Sequence, residues 1–313
     1  MRSFLAILGL LSIVIGCTER DKSGKPLDNT TSGTIKIAVD ESLKPLIAAE
    51  IDAFEGLYRN AHIEAIYTSE SEAINSMLLD SSRLAIVTRM LTPAETAILT
   101  KVNIPPRQMV VAKDGIALIL HNDNPDSSLT MDQIRGIFEG KISTWRQLSP
   151  GNSTGNIEVV FDNPNSGILR YLMDTLKNFT TIPKNCFAVN TNEAVIDYVS
   201  KKKNAVGLIG VGWVSDAEDS TANNFLKTIQ VAEIADGKTD TNEYYQPYQA
   251  YIAQKSYPLS RQVVIISREA RAGLGSGFLT YVASDKGQRV VLNARLIPAT
   301  MPVRIVEINY GQN

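Results

Sequence analysis

The chain contains few of the residues from which metal and redox centres are built. Its 313 residues include two cysteines, Cys17 and Cys186, and two histidines, His62 and His121. The histidines lie far apart, and no cysteine or paired carboxylate stands near either of them at zinc-site spacing. We therefore predict no metal site and no bound cofactor, and we expect Cys186 to be a buried, unreactive thiol.

An excess of charge of either sign is also missing. Lys and Arg total 31 against 33 Asp and Glu, which gives a formal net charge of −2. No basic stripe runs along the chain, so nucleic acid is excluded as a partner. With 44% hydrophobic and 20% charged residues, the composition is that of a soluble globular protein with one large or two medium domains. Any anionic ligand must therefore be held by local dipoles and a few side chains.

The apolar run at the N-terminus, residues 4–15, is too short to span a bilayer. A short positive segment precedes it, and it ends at Gly16-Cys17. These features predict a signal peptide over residues 1–16. The end of the run resembles a bacterial lipobox, which implies cleavage before Cys17 and a lipid anchor on that residue. The alternative is a plain signal peptide that happens to contain a cysteine.

Residues 17–33 are polar and show no apolar period. They therefore predict a flexible tether between the membrane and the folded part. A fully extended tether of this length reaches up to roughly 50 Å from the bilayer. We expect a cell-envelope protein, lipid-anchored to a bacterial membrane and facing the periplasm or the exterior.

Beyond the tether, three predicted strands alternate with helices in a βαβαβ pattern. The strands cover residues 34–39, 61–67 and 83–87. Hydroxyl side chains follow each strand in turn: Ser42, then Ser69 and Ser71, then Thr88. Parallel α/β sheets bind ligands at the carboxyl ends of their strands. A single hydroxyl there is more often a helix cap, but the recurrence after successive strands predicts a binding edge.

Two further apolar strands are predicted over residues 108–112 and 115–121, on either side of Lys113-Asp114. Thr130 is then predicted to be the N-cap of a helix that places Ile134, Ile137 and Phe138 on its core face.

A second candidate anion site lies in residues 159–176. An apolar strand ends in a polar turn, and Ser166-Gly167 then opens a helix that carries Arg170 in its first turn. Unpaired backbone N–H groups point out of a helix start and attract small anions. The alternative is an ordinary N-cap, which is what most such loops are.

Four segments resemble the substrate-binding protein family of phosphate-specific ABC transporters, within the type II periplasmic binding proteins. They are Asp114-Gly115-Ile116-Ala117 with the following LTMDQIRGIFEGKISTWRQL (residues 129–148), Ser166-Gly167 at a helix start, residues 190–214, and Tyr257-Pro258-Leu259-Ser260-Arg261. The first segment is highly specific, whereas Ser-Gly is short and common. The resemblance extends over residues 34–298, which is nearly all of the expected mature chain.

The resemblance implies an α/β fold of two lobes, each a mixed sheet flanked by helices, with a ligand cleft at the hinge. Residues 34–112 and 262–313 are expected to form lobe 1, and residues 113–261 lobe 2. The ligand-binding residues that the resemblance implies are Ser42, Ser69, Ser71, Thr88, Ser166 and Gly167.

Three positions depart from the family pattern. Asp162 stands where typical members have an arginine, and Ile168 where a threonine follows Ser-Gly. Thr88 stands where an aspartate often accepts a proton from bound phosphate. The acceptor is then either Asp162 or Glu70, and the sequence leaves this choice open.

Two arginines are the candidates for the missing positive charge. We predict that Arg89 and Arg170 face the cleft from opposite lobes and that both contact the anion. The alternative is that both are surface salt-bridge partners. If Arg89→Ala and Arg170→Ala both leave phosphate affinity unchanged, the prediction is wrong.

The sequence therefore predicts a non-enzymatic, monomeric receptor that captures phosphate or a related oxyanion and delivers it to an ABC permease. A sensory or interaction lipoprotein that has lost or changed this ligand is the alternative. A hydrolase that uses Ser166 or Ser276 would need a histidine base, and neither His62 nor His121 belongs to a triad pattern.

Overall fold

The computed structural model describes residues 28–176, 182–214, 226–237 and 243–301. The predicted signal peptide, Cys17 and residues 17–27 of the predicted tether lie outside these ranges. Residues 28–33 are described, and the Asp28 carboxylate accepts a hydrogen bond of 2.7 Å from the backbone N–H of Leu274. The end of the predicted tether thus packs onto the folded domain. Within these ranges, no helix combines the length and apolarity that a bilayer crossing needs.

The first lobe begins with the predicted βαβαβ unit. Its elements are β1 (Ser32–Asp40), α1 (Lys44–Leu57), β2 (Asn60–Thr68), α2 (Glu70–Leu78), β3 (Leu84–Val87) and α3 (Pro93–Lys101). Strand β1 pairs in parallel with both β2 and β3, so the three carboxyl ends share one edge. Helix α3 was not predicted, although Thr92 and Glu95 form a capping box at its start.

The second lobe is built from shorter elements. They are β5 (Ser128–Thr130), α4 (Met131–Phe138), β6 (Glu158–Phe161), α5 (Gly167–Leu176), β7 (Cys186–Ala188), α6 (Asn192–Lys201), β8 (Ala205–Gly210), β9 (Ile229–Val231), β10 (Glu233–Ala235) and α7 (Gln249–Gln254). The predicted cap at Thr130 is present, and the predicted helix begins directly after it. Strand β6 pairs in parallel with β7 and β8, which places the start of α5 at the carboxyl edge of this sheet.

The chain then returns to the first lobe. The returning elements are β11 (Ser260–Ser267), α8 (Leu274–Val282), α9 (Asp285–Asn293) and β12 (Ile297–Pro298). Strand β11 lies antiparallel to β3 and completes the half of the sheet that belongs to this lobe.

One long strand, β4 (Arg107–His121), joins the lobes. Its first half pairs with β11 and its second half with β8. Two separate strands around Lys113-Asp114 were predicted, and this is wrong. The polar pair does not form a turn because Asp114 lies opposite Arg261 of β11 and binds it there. The strand therefore continues through the hinge.

Each lobe has its own apolar core on both faces of its part of the sheet. Phe54, Ile37 and Phe278 lie in the core of lobe 1, and Trp145 and Phe161 in that of lobe 2. Burial of such side chains contributes about 1.5–3 kcal/mol each. Strand β4 runs through both halves of the sheet and links the two cores.

Candidate functional site

The candidate site lies between the lobes, where the carboxyl edge of lobe 1 meets the first turns of α5 and α6. Strand β1 ends at Asp40, and a short 3-10 turn, Glu41–Leu43, follows it. Asp40 caps this turn, because its Oδ1 accepts from the backbone N–H of Ser42 at 2.9 Å and from the Ser42 hydroxyl at 2.6 Å. Asp40 and Ser42 thereby stand at the floor of the cleft.

The start of α5 faces this floor from lobe 2. The Ser166 hydroxyl caps the helix and accepts from the Leu169 N–H at 3.3 Å. The next backbone group, the N–H of Gly167, donates to Asp40 Oδ2 at 2.9 Å. The predicted anion nest thus exists, and it binds a carboxylate of the opposite lobe.

Glu70, the first residue of α2, occupies a second set of donors. Its Oε2 accepts from the N–H of Thr88 at 2.9 Å and from the Thr88 hydroxyl at 2.5 Å. The Nε of Arg170 donates to Oε1 of Glu70, and its Nη2 lies 3.0 Å from the Thr88 hydroxyl. Burial by itself raises the pKa of Glu70, but the hydrogen bonds from Arg170 and Thr88 outweigh burial and hold the pKa below its ordinary value.

Arg89 approaches the same carboxylate from within lobe 1. Its Nε lies 3.6 Å from Glu70 Oε1, while both of its Nη atoms bind Glu95 at 2.7 Å. Arg89 and Arg170 therefore flank one carboxylate from opposite lobes. That both contact an external anion remains a prediction, and the bidentate pair with Glu95 leaves Arg89 less free to do so.

The remaining predicted hydroxyl residues have different roles. Ser69 is the N-cap of α2 and accepts from the N–H of Glu72 at 3.4 Å. The side chain of Ser71 is exposed, although its backbone N–H reaches the Asn165 carbonyl of lobe 2 at 3.4 Å. The Ser71 backbone thus helps to join the lobes, whereas the Ser69 hydroxyl caps its own helix and the Ser71 side chain is exposed.

A further contact between the lobes involves Glu41. Its Oε2 accepts from the backbone N–H of Asn192, the first residue of α6, at 3.0 Å, and also from the Asn192 side-chain amide. Lys44 Nζ lies 3.3 Å from Glu193 Oε1, and the Trp213 indole N–H donates to the Ser42 carbonyl at 3.2 Å. Both helix starts that lobe 2 presents to the cleft therefore bind lobe 1 carboxylates.

Arg261 is a site residue that the sequence reasoning did not select. It lies buried on β11, donates from Nε to Asp114 Oδ2 at 2.9 Å, and donates from Nη2 to the Ser42 hydroxyl at 2.8 Å. Its Nη1 and the Oδ1 of Asp114 are buried without a hydrogen-bond partner. Burial raises the pKa of Asp114 while Arg261 opposes the rise. Arg261 places a fixed positive charge beneath the cleft.

Asp162, the first residue of the loop that leads from β6 to α5, is also buried. It is 1% exposed, and its Oδ1 has no hydrogen-bond partner. Burial, reinforced by the nearby charge of Asp40, raises its pKa to about 7. Ile168, at the position of the family's threonine, is fully buried in the core of lobe 2 and is not a ligand.

Gly167 shows how tightly these groups converge. A Cβ atom on this residue would lie 2.5 Å from Asp40 Oδ2 and Thr88 Oγ1, and 2.8 Å from Glu70 Oε2. Only glycine allows the helix start to approach both carboxylates this closely. The arrangement is a ring of N–H, hydroxyl and guanidinium donors around two carboxylates, and such donors bind any small oxyanion in the same way.

The histidines are remote from the candidate nucleophiles. His62 lies 3.6 Å from Glu55, and His121 accepts from the N–H of Asp123. The Ser276 hydroxyl donates to Glu269 at 2.7 Å. Cys186 is half-buried, where burial was predicted, and its surroundings raise the pKa of its thiol to about 12.

Comparison with known proteins confirms the predicted family and the two-lobed α/β fold. A family model described as the PBP superfamily domain matches residues 25–286, more than half of the chain. The phosphate-binding protein PstS of Pseudomonas aeruginosa is 25% identical over 296 residues, which cover 88% of this chain and 85% of that protein. PstS of Staphylococcus epidermidis is 21% identical over 281 residues, covering 88% and 82%.

Solved structures agree on the fold. A phosphate ABC transporter substrate-binding protein with bound phosphate from Clostridium perfringens superimposes with a TM-score of 0.71 at 24% identity, covering 85% of this chain and all of that one. An ABC-type phosphate transport receptor from Vibrio cholerae gives 0.63 at 20% identity, covering 85% and 100%. The chain belongs to the PBP superfamily.

Proposed function

We propose that this protein is an extracytoplasmic solute receptor that binds phosphate, or a related oxyanion, between its two lobes. The observation that carries the proposal is the set of donors that meet at the cleft, namely the Gly167 N–H, the Thr88 N–H and hydroxyl, and the Arg170 guanidinium. They come from both lobes, so only the closed arrangement assembles them. A ligand that bridges them stabilises closure by its higher affinity for that state.

The carboxylates at the site supply the acceptor that phosphate needs. Asp40 and Glu70 both lie against the donor ring, and burial raises the pKa of Asp40 although Arg261 opposes the rise. Hydrogen phosphate carries a proton that it can donate to such an acceptor, whereas sulfate at neutral pH carries none. The site is therefore suited to phosphate over sulfate. Asp40 is better placed for the acceptor role than Asp162, because Asp40 contacts the Gly167 N–H directly and is held in place by the turn that it caps.

The anchor and the transport partner belong to the same proposal. The lipobox-like end of the signal segment supports a lipid on Cys17, and the tether then leaves the domain free to reach a membrane partner. The relatives named above are phosphate-binding proteins, and the superimposed structures are described as parts of ABC transporters. Delivery of the bound oxyanion to an ABC permease follows from that context, with binding and release in place of catalysis.

A second candidate is a sensory or interaction lipoprotein with the same fold that has lost or changed its phosphate ligand. None of the relatives and superimposed structures named above favours this alternative, in which Asp40 and Glu70 of the chain itself would occupy the donors of the cleft. A receptor without an oxyanion ligand would retain such contacts as permanent links between its lobes.

A thermal-shift panel on the phosphate-free protein distinguishes the oxyanion receptor from the sensory or interaction lipoprotein. We expect phosphate to raise the Tm by about 5 °C at a hundredfold excess over Kd, because a ligand of the native state stabilises it. Sulfate, arsenate, phosphonates and inositol phosphates complete the panel, with chloride at equal ionic strength as the control. A Tm that no oxyanion raises would contradict the receptor and leave the sensory lipoprotein.

A further inference from the structure

Glu70 holds the place where a bound oxyanion would make its contacts. Its two oxygens take the Thr88 N–H, the Thr88 hydroxyl and the Arg170 guanidinium, with Arg89 Nε at 3.6 Å. A carboxylate and a phosphate present similar pairs of negative oxygens to a guanidinium fork and to backbone N–H groups. The Glu70 side chain therefore uses the same donors that a ligand would use.

Glu70 differs from Asp40 in how firmly the fold requires it. Asp40 also caps its own 3-10 turn, so its carboxylate has a local structural task. Glu70 is the first residue of α2, but the cap of that helix is made by Ser69 and Glu72. The start of α2 therefore keeps its capping box when the Glu70 carboxylate leaves the donors.

The charges around Glu70 act in both directions. Arg170 and Arg89 attract it, while Asp40 is close enough for the two carboxylates to repel each other. Asp174 binds Arg170 at 2.8 Å and shares part of its charge. The carboxylate is therefore attracted by two arginines and repelled by Asp40, and one of the two arginines, Arg170, belongs to the other lobe.

We propose that Glu70 is an internal ligand of the cleft, which an incoming oxyanion displaces and which thereby sets the affinity and the ligand class. This rests on the proposed function, and it deepens that function. Displacement costs the Glu70 contacts, so only a ligand that offers more oxygens or more charge than a carboxylate gains by it. Phosphate and phosphonates meet this condition because their tetrahedral oxygens reach Gly167 and Thr88 together.

Free monocarboxylates offer no more oxygens and no more charge than the Glu70 carboxylate, so they gain nothing by displacing it. Acetate would only duplicate the contacts of Glu70, which is already attached to the site and therefore does not lose the translational freedom that free acetate loses on binding. The internal ligand therefore excludes common small carboxylates from the cleft without any steric barrier.

Calorimetric titration of phosphate into phosphate-free Glu70→Ala and Glu70→Gln tests the inference. We expect both variants to bind phosphate at least tenfold more tightly than the wild type, and Glu70→Ala to gain measurable affinity for acetate. Glu64→Gln is the matched control, because it removes the same charge from an exposed position on the same lobe. Its phosphate affinity should equal that of the wild type.

Small-angle X-ray scattering of the same phosphate-free samples gives an independent readout. Loss of the Glu70–Arg170 contact should release the lobes, so the radius of gyration of Glu70→Ala should exceed that of the wild type and of Glu64→Gln. Weaker or unchanged phosphate binding in both Glu70 variants would overturn the inference. If no protein in the set binds any oxyanion, the proposed function fails. In that case, an increased radius of gyration of Glu70→Ala would still support Glu70 as an internal ligand of the cleft. An unchanged radius of gyration would refute this role.

Discussion

Backbone N–H groups bind carboxylates at the start of α5 and also at the start of α8, but the contacts have different roles in the two places. At α8, Glu269 accepts from the N–H groups of Gly275 and Ser276 at 3.0 and 2.6 Å, and Asp28 accepts from that of Leu274. These carboxylates belong to the same lobe as the helix. At α5, the carboxylate that meets the helix start comes from the other lobe.

This difference explains why the carboxylate bound at the start of α5 can be exchanged for a ligand, whereas the carboxylates bound at the start of α8 cannot. A carboxylate of the same lobe can leave its helix only by local unfolding, so the α8 contacts stabilise the fold. A carboxylate of the opposite lobe leaves when the hinge opens, at the cost of a few hydrogen bonds. The glycines at the start of α8 make its contacts with Glu269 possible, since a Cβ on Gly273 or Gly275 would lie within 3 Å of Glu269 Oε1.

Glu269→Ala should give the largest effect on stability. It leaves the buried N–H groups of α8 without an acceptor, so we expect the free energy of unfolding to fall by about 3 kcal/mol. Chemical denaturation measures this, with the exposed Asp285→Ala as a control expected to cost below about 1 kcal/mol. Phosphate affinity should not change. A change in affinity larger than threefold would remove the distinction between the two helix starts.

Arg170→Ala should give the largest effect on binding. Charged hydrogen bonds contribute about 1.5–3 kcal/mol each, so phosphate affinity should fall by about 10- to 100-fold. Arg89→Ala is the matched variant, and we expect less than a threefold loss because Glu95 already binds both of its Nη atoms. Calorimetry measures the phosphate affinity of both variants. An equal loss of affinity in the two variants would mean that Arg89 leaves Glu95 to bind the ligand. An unchanged affinity in both would mean that the two arginines are only salt-bridge partners.

Asp162→Asn should give the smallest effect, and it tests a carboxylate that lies beside α5 in the same lobe. Burial raises the pKa of Asp162 to about 7 in the folded state, so the folded protein binds a proton that the unfolded chain loses near pH 4. Stability from this group is therefore present below pH 4 and lost as the pH rises to about 7. The variant has no carboxyl group to titrate at this position, so it should lack this loss. Its gain in stability at pH 8 should be limited to about 1 kcal/mol, because the buried amide needs hydrogen-bond partners of its own. Denaturation curves at pH 5 and pH 8 measure the difference, and equal gains at both pH values would contradict it.

Local patterns in the sequence predicted most of the elements. The alternation of β1, the cap at Thr130 and the Ser166-Gly167 helix start each depend on neighbouring residues, and the structure contains all three. Helix α3 was missed although its cap is local, because its apolar residues form no clear stripe. The polar pair Lys113-Asp114 suggested a break in β4 because its partner strand is distant in sequence.

Local patterns could not predict which carboxylates bind the hydrogen-bond donors of the cleft. Asp40 and Gly167 are 127 positions apart, and Glu70 and Arg170 are 100 apart. Nothing in the local sequence of either carboxylate indicates a partner in the other lobe. Arg261 was overlooked for the same reason, since its role beneath the cleft depends on the register of β11 against β4. Hydroxyl and glycine patterns selected residues that the fold brings together between the lobes, whereas the charges around them depend on the three-dimensional arrangement.

We propose that the donors at the start of α5 and around Thr88 exchange between the chain's own carboxylates and an external oxyanion. Calorimetric titration of phosphate into the phosphate-free wild-type protein tests this exchange. We expect saturable binding of one phosphate per chain, with sulfate binding more weakly. The absence of saturable heat with phosphate, arsenate and phosphonates up to millimolar concentration would contradict it.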